Sequence, residues 1–542
     1  MIQLSLLTPD IDEEPAAYAD RLGRAYAASV SDEHRKRLGQ YMTPVAVARF
    51  MAGLCREDAQ MALRILDPGA GAGVLSCAIC EKLAANSTRP AKIELVAYEI
   101  DAGLADCLAH SLAYAKHWLQ TRGILLEFTL RREDFILANG AALENTLSLF
   151  STADETDAFD IIIANPPYFK LPKSDPRACA AEAVVHGQPN IYALFMAFAA
   201  ALLRPDGLLI VITPRSYAAG PYFRRFREYF FANMRPEVIH LFGSRRDAFS
   251  QDEVLQENVI LLSRRCQHWA VEPDGRMVTV SCSAGLRDLA APEQRQTPLS
   301  EILDMGSRDK LLRIPITSTD DAVVRIVGSW SGSLHAYGMQ ISTGPVVAFR
   351  AADLLAISAK TPTSHAPLLW MQNVRPMRIQ WPVALRDKEQ YIWRAPAATP
   401  LLLADQNYVI LRRFSAKEQD RRLTAAPLLA GQLGAPYVGL ENHLNYIYRP
   451  GGALTPDETY GLAALLNSTL LDRYFRTFNG NTQVSATELR AMPLPPLAVI
   501  TELGRCISAA PDDIEQMDKT IGEILGANDS VSVASWRDDE QH

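Results

Sequence analysis

The chain has 542 residues, 48% of them apolar and 21% charged; the length allows roughly two to four domains, and the composition excludes disordered, fibrous and low-complexity classes. Its net charge of −8 belongs to its ends: residues 1–20 hold five acids and no Lys or Arg, residues 501–542 hold ten acids against three, and residues 21–500 carry a net +4. Charge therefore permits a polyanionic partner. The longest apolar run, residues 191–203, has 13 residues, short of the roughly 20 that cross a bilayer. The first residues lack the basic-then-apolar pattern of a secretory leader. The expectation is a soluble, cytoplasmic protein with no membrane partner.

In chain order, strand-length apolar runs fall at 62–67 (ALRILD), 92–99 (KIELVAYE), 123–130 (GILLEFTL), 159–165 (FDIIIAN), 207–213 (GLLIVIT), 237–242 (EVIHLF) and 258–263 (NVILLS). Amphipathic or apolar helical runs fall at 44–54, 73–84, 102–120, 190–203 and 222–234. Alternating strands and helices predict an α/β domain with a mostly parallel sheet, and the near-continuous Ile/Val/Leu strands predict helices on both faces. The last two strands are joined by a loop alone, which predicts a terminal antiparallel strand. From about residue 265 the rhythm breaks. Pro, Gly and Ser become frequent, strands shorten, and Trp330, Trp370, Trp381 and Trp393 appear without helical spacing. The expected organisation is an N-terminal arm (1–34), a catalytic domain (35–265), a linker (266–304), a mixed α/β or β-rich domain (305–500) and an acidic tail (501–542) with one helix at 512–526.

Eight cysteines include a single CxxC, Cys77 and Cys80, inside a helical run. With no second pair at zinc-site spacing and no histidine cluster, they read as small core residues, and no metal is expected.

Four strand tips carry chemistry. The first strand runs into Asp67-Pro68-Gly69-Ala70-Gly71-Ala72-Gly73. A Gly-rich strand-to-helix turn lets backbone approach a ligand at a helix N-terminus. Its third Gly comes one residue early for a dinucleotide fingerprint, and no Lys-Ser/Thr follows as a P-loop would need; the form suits the amino-acid end of S-adenosylmethionine. The second strand ends in Glu99-Ile100, where a carboxylate can bond a ribose diol. Asp134-Phe135, after the third, offers an acceptor for an adenine amino group and a ring beside it. The fourth ends in Asn165-Pro166-Pro167-Tyr168. Two prolines fix the backbone and remove two N–H donors, leaving carbonyl oxygens, the Asn165 amide oxygen and the Tyr168 ring. That set suits a planar group bearing an NH₂. Its nitrogen lone pair is delocalised, and accepting its hydrogens on Asn165 and the Pro166 carbonyl steers the pair towards an electrophile.

This set resembles the amino-group DNA methyltransferases of the TaqI-like, N6-adenine kind over residues 35–265. The resemblance implies a Rossmann-like domain that uses S-adenosylmethionine, followed by a DNA target-recognition domain. Residues 37–44, RLGQYMTP, are similar to the family motif whose Thr, here Thr43, contacts the methionine carboxylate. By the same resemblance Asp67, Gly69, Gly71, Glu99, Ile100, Asp134 and Phe135 bind cofactor, and Asn165, Pro166 and Tyr168 are catalytic. Phe249, in Asp247-Ala248-Phe249-Ser250, holds the target base opposite Tyr168, whose ring and not its hydroxyl is expected to serve. The second half resembles type II modification methylases of the PstI kind at residues 411–418, 441–446 and 479–485. Around Phe414, Arg412, Arg413, Lys417, Arg421 and Arg422 place five cations in 11 residues, a pattern suited to phosphate contacts. The Asn/Gln/Thr loops leave base readout and turn chemistry both open.

The expected function is site-specific DNA adenine-N6 methylation in a bacterial cytoplasm, beside the nucleoid, by a monomer acting on double-stranded DNA. The adenine swings out of the duplex to be reached. Any restriction endonuclease is expected on a separate chain. The alternatives are methylation of a protein glutamine amide or an RNA base, and a DNA-binding protein without catalysis.

Overall fold

The computed structural model describes residues 8–56, 61–143, 158–185, 187–242, 257–266, 269, 275–358, 364–383, 388–416, 419–511 and 513–526. They form two compact units that divide after Ile314.

The first unit is built on a nine-stranded sheet among the described residues. Its strands are β1 (Ala62–Asp67), β2 (Lys92–Tyr98), β3 (Leu125–Arg131), β4 (Phe159–Ala164), β5 (Leu203–Pro214), β6 (Met234–Phe242), β7 (Asn258–Arg265), β8 (Met277–Ser283) and β9 (Glu293–Pro298). The order is β3-β2-β1-β4-β5-β7-β6-β8-β9. Strands β1 to β5 are parallel, with Ile65 of β1 seated between Leu95 of β2 and Ile161 of β4. Strand β7 runs antiparallel to both β5 and β6. This is the doubly wound, Rossmann-like sheet expected.

Both faces are covered, which is why the strands read as continuous apolar runs. On one face Leu63, Ile65, Ile93, Leu95, Ile161 and Ile210 share a core with four helices: α1 (Pro15–Ser29), α3 (Val45–Gly53), α4 (Val74–Ala85) and α5 (Ala102–Gln120), the short α2 (Asp32–Leu38) lying between α1 and α3 in the chain. Cys77 and Cys80 lie in that core. The alternate residues Leu66, Ile162, Leu209, Val211 and Leu261 are equally buried, and the apolar helix Ile191–Leu202 packs against β5.

Three expected boundaries differ. Residues 1–34 are no loose arm where described: α1 buries Ala16, Ala19 and Leu22 in the unit. The segment 266–304, expected as a linker, supplies β8 parallel to β6 and β9 antiparallel to β8. Those strands are rich in Thr, Ser and Gln because β9 is largely exposed, and β8 buries Val278 and Val280 among polar residues. Residues 501–526 are not a tail. The helices Leu497–Ile507 and Ile514–Ile524 each bury one apolar stripe.

The second unit is mixed, as expected. A four-stranded antiparallel sheet runs in the order Gln340–Thr343, Leu444–Tyr448, Tyr408–Arg412, Ala425–Leu428. A second sheet centres on His365–Leu369, and the helices Ser318–Gly328, Pro456–Asn467 and Thr469–Phe478 accompany them.

Candidate functional site

The strand order reverses between β1 and β4, and a sheet of this kind opens a crevice beyond the carboxyl ends of the strands at such a point. Here that crevice is a cavity open to solvent, walled by Gly69, Gly71, Glu99, Ile100, Phe135 and Asn165, with Tyr41 and Asp134 also lining it.

The turn after β1 forms one wall. Gly71 and Gly73 take φ of +56° and +92°, a conformation that favours glycine. A Cβ on Gly73 would also meet Leu108 Cδ1 at 2.8 Å. The turn is tied to the next strand tip: Gly71 N–H donates to Glu99 Oε2 at 2.9 Å, and Asp101 N–H donates to Glu99 Oε1 at 2.7 Å. Burial pushes the Glu99 carboxyl up to about 7, against those two bonds. Asp67 lies behind the turn, takes a hydrogen bond from the Ser76 hydroxyl at 2.7 Å, and is also raised to about 7 by burial.

Farther along the edge, Asp134 caps the short helix Phe135–Ala138, its Oδ1 accepting from Ile136 and Leu137 N–H. Its Oδ2 lies 3.7 Å from the Arg177 guanidinium. Phe135 is buried, its ring 5.1 Å from Phe195 and 5.3 Å from Tyr98. Ile100, by contrast, stands 58% exposed beside it. Both line the cavity.

At the tip of β4 the Asn165 amide is fixed on both sides. Its Nδ2 donates to Thr43 Oγ1 at 2.9 Å and to the Tyr41 carbonyl at 3.2 Å. Its Oδ1 accepts from the Tyr168 hydroxyl at 2.6 Å. Burial raises the pKa of that hydroxyl well above its usual value, so it stays a donor. The Tyr168 ring is stacked by Tyr41, with centroids 5.2 Å apart and planes at 27°, and meets Tyr192 edge-on at 6.3 Å. Pro166 is buried and Pro167 lines the cavity.

The structure thus brings Thr43, Asp67, Gly69, Gly71, Glu99, Ile100, Asp134, Phe135, Asn165, Pro166 and Tyr168 to one sheet edge. Two details are added to the expectations. Thr43 bonds the Asn165 amide, and the Tyr168 hydroxyl is engaged along with the ring. Phe249 and Lys417 lie outside the described residues. Tyr41 and Arg177 line the cavity and were not singled out. Tyr41 sat inside the motif at 37–44, so a signal existed, whereas nothing near Arg177 in sequence marks it.

The basic run of the second unit is not a row of solvent-facing cations. Arg422 is wholly buried, its Nε donating to Ser415 and its Nη2 to Asn479. Arg421 pairs with Asp518 at 2.7 Å. Arg412 Nε donates to the Val374 carbonyl at 2.8 Å. Arg413 Nη1 donates to the Asn442 carbonyl at 2.9 Å, and with the Gln483 amide turned so that its oxygen faces the guanidinium, as the donors there require, Nε and Nη2 reach that oxygen at 3.0 and 2.7 Å. Loop closure consumes much of the hydrogen bonding that charge counting would assign to phosphates.

Comparison with known proteins adds the family. Residues 94–249 match the Eco57I restriction-modification methylase family. The Type II methyltransferase M.BsuBI of Bacillus subtilis is 31% identical over 91% of this chain and 95% of its own length. The Type II methyltransferase M.PstI of Providencia stuartii is 30% identical over 93% and 96%. Among solved structures, the type IIG restriction endonuclease BpuSI is 15% identical over 94% of this chain and 68% of its own, at a TM-score of 0.44.

Proposed function

Because the chain belongs to the type II methyltransferases of restriction–modification systems, enzymes that methylate DNA, we propose that it methylates the N6 amino group of a specific adenine in double-stranded DNA, with S-adenosylmethionine as methyl donor. The observation that carries this reading is the Asn165 amide at the cavity wall, whose two N–H groups are held by Thr43 and the Tyr41 carbonyl, leaving its oxygen to accept.

The edge residues suit the cofactor. Glu99 and Asp134 are acceptors where a diol and an amino group need them, the apolar Ile100 and Phe135 in the cavity wall suit a purine ring, and the glycine turn lets backbone come close. S-adenosylmethionine, when bound, supplies an electrophilic methyl group. The chain's own residues do the rest. Asn165 Oδ1 has two acceptor positions, and the Tyr168 hydroxyl takes one. The other, with the Pro166 carbonyl, accepts the two hydrogens of the adenine amine and holds its lone pair out of conjugation. The surplus proton departs after attack, from a nitrogen that is already cationic. Catalysis is positioning and electrostatics, without a covalent enzyme intermediate.

The adenine reaches this edge swung out of the duplex and stacks on Tyr168, with Phe249 as the second ring. Since Tyr41 stacks on Tyr168 here, base entry exchanges one aromatic partner for another. The second unit supplies target recognition, and Arg412, Arg413 and Lys417 border the phosphates. The protein works in the cytoplasm, as a monomer, with any restriction endonuclease a separate chain. No described helix is long and apolar enough to cross a membrane.

The test is transfer of labelled methyl to duplex DNA, followed by nucleoside analysis. Wild type is expected to label N6 of deoxyadenosine. Asn165→Ala is expected to lose roughly 10²–10³ in rate with cofactor affinity within a few-fold. Label on cytosine, or full turnover by Asn165→Ala, overturns the reading.

A further inference from the structure

Three polar segments far apart in sequence meet at one end of the four-stranded sheet of the second unit. Arg413 N–H donates to the His443 carbonyl at 2.9 Å, Val484 N–H to the Arg413 carbonyl at 2.8 Å, and Ser415 N–H to the Thr482 carbonyl at 3.0 Å. The Asn445 amide reaches the Val484 carbonyl at 3.0 Å, and buried Arg422 ties Ser415 to Asn479 from beneath. These bonds tie the three loops into one knot.

At its surface stands His443, its side chain half exposed, gripped by a carboxylate that is only 2% exposed. Glu441 Oε1 takes the ring Nδ1 at 2.5 Å, and Glu441 Oε2 takes the His443 backbone N–H at 3.0 Å. The Phe414 ring meets the imidazole edge-on at 5.1 Å. A buried carboxylate is costly to desolvate. Here both of its oxygens are spent on one residue, fixing the plane of its ring and its tautomer. With Nδ1 bonded to the carboxylate, Nε2 is the other polar atom of the half-exposed ring, an acceptor when the ring is neutral. Glu441 thus holds both the backbone and the ring of one surface residue.

We propose that His443 reads one base of the recognition sequence, with Glu441 as the residue that positions it. This rests on the reading of the chain as a site-specific DNA methyltransferase. In the major groove the Nε2 of a neutral ring, held as an acceptor, recognises an exocyclic amino group, N4 of cytosine or N6 of adenine, and rejects the oxygen that guanine or thymine presents at the same place. The Phe414 edge beside it limits how the ring can rotate to accept a wrong base. Arg413, whose guanidinium is engaged with Asn442 and Gln483, holds this platform.

The experiment maps methylated sites by single-molecule sequencing of a mixed-sequence DNA treated with wild type, His443→Ala and Glu441→Gln full-length protein. The expected result is that His443→Ala relaxes the requirement at one position, now C or A, by roughly tenfold to a hundredfold, while other positions stay fixed. Glu441→Gln, which keeps the ring but loosens its aim, relaxes the same position to a smaller degree. A merely structural role would lower methylation equally at every site and leave the sequence preference intact; that outcome, or unchanged preference at full rate, overturns the proposal. If wild type methylates no DNA at all, the parent reading has failed rather than this one.

Discussion

Asn165 has four hydrogen-bonding positions, and the fold assigns three: two donors to Thr43 and the Tyr41 carbonyl, one acceptor to the Tyr168 hydroxyl. The sequence made the tetrapeptide legible, since two prolines after a buried strand are a strong local signal. What holds its amide was not, because Thr43 lies 122 positions away in the chain. Thr43→Val keeps the shape but removes the acceptor, and an orphaned buried donor costs roughly 1–3 kcal/mol. Its kcat is expected to fall about tenfold to a hundredfold, with the dissociation constant for S-adenosylmethionine within a few-fold, and Thr43→Ser is expected to restore turnover. A contact with the cofactor alone would show the reverse in binding measurements: weaker affinity and intact kcat. Tyr168→Phe releases one acceptor position of Asn165 and is expected to cost several-fold in kcat, with Tyr168→Ala losing more. Glu99 gives a pH signature. Its raised pKa of about 7 means that the carboxylate, the better acceptor for a diol, forms as pH rises through neutrality. Cofactor affinity is therefore expected to strengthen from pH 6 to pH 8 by titration calorimetry, and Glu99→Gln to flatten that dependence. A slope unchanged in Glu99→Gln would assign it to another group.

At the scale of elements, legibility followed burial. The strands flanking the cleft are apolar on both faces and stood out as continuous runs. Helix α5 was read at its observed bounds because Asp101 caps it with bonds to Gly103 and Leu104 N–H. Strands β8 and β9 escaped because an exposed edge needs few apolar residues. The end of the second unit escaped for another reason. The helices Pro456–Asn467 and Leu497–Ile507 cross at backbone contact, where a Cβ on Gly461 would lie 1.9 Å from the Ile500 carbonyl oxygen and one on Gly504 1.7 Å from that of Asp457. Glycine at mid-helix reads as a weakness from propensity alone, although here it is what permits the approach. Because the obstructing atoms are backbone, Gly504→Ala is expected to destabilise the second unit by at least about 1–3 kcal/mol, measured as a lower denaturation midpoint, despite alanine's better helix propensity. An unchanged or raised midpoint would mean that the two helices do not pack this closely.

At the scale of the whole chain, the acidic ends hid the character of what lies between them, and net charge misled until it was divided by position. The first unit carries the sheet edge proposed to hold the cofactor and the target amine. The second carries a tightly bonded polar surface, in which Arg412, Arg413, Arg421 and Arg422 are hydrogen-bonded within the unit. Under the proposed function, chemistry falls to residues up to Ile314 and choice of site to residues beyond. The central claim is that this edge methylates adenine N6 at a defined DNA sequence. It is tested most directly by single-molecule sequencing of DNA from cells expressing the wild-type chain, the Asn165→Ala chain, or neither. The account predicts N6-methyladenine at one recurring sequence in the first culture alone; no modified adenine there, or the same adenines modified by Asn165→Ala, would contradict it.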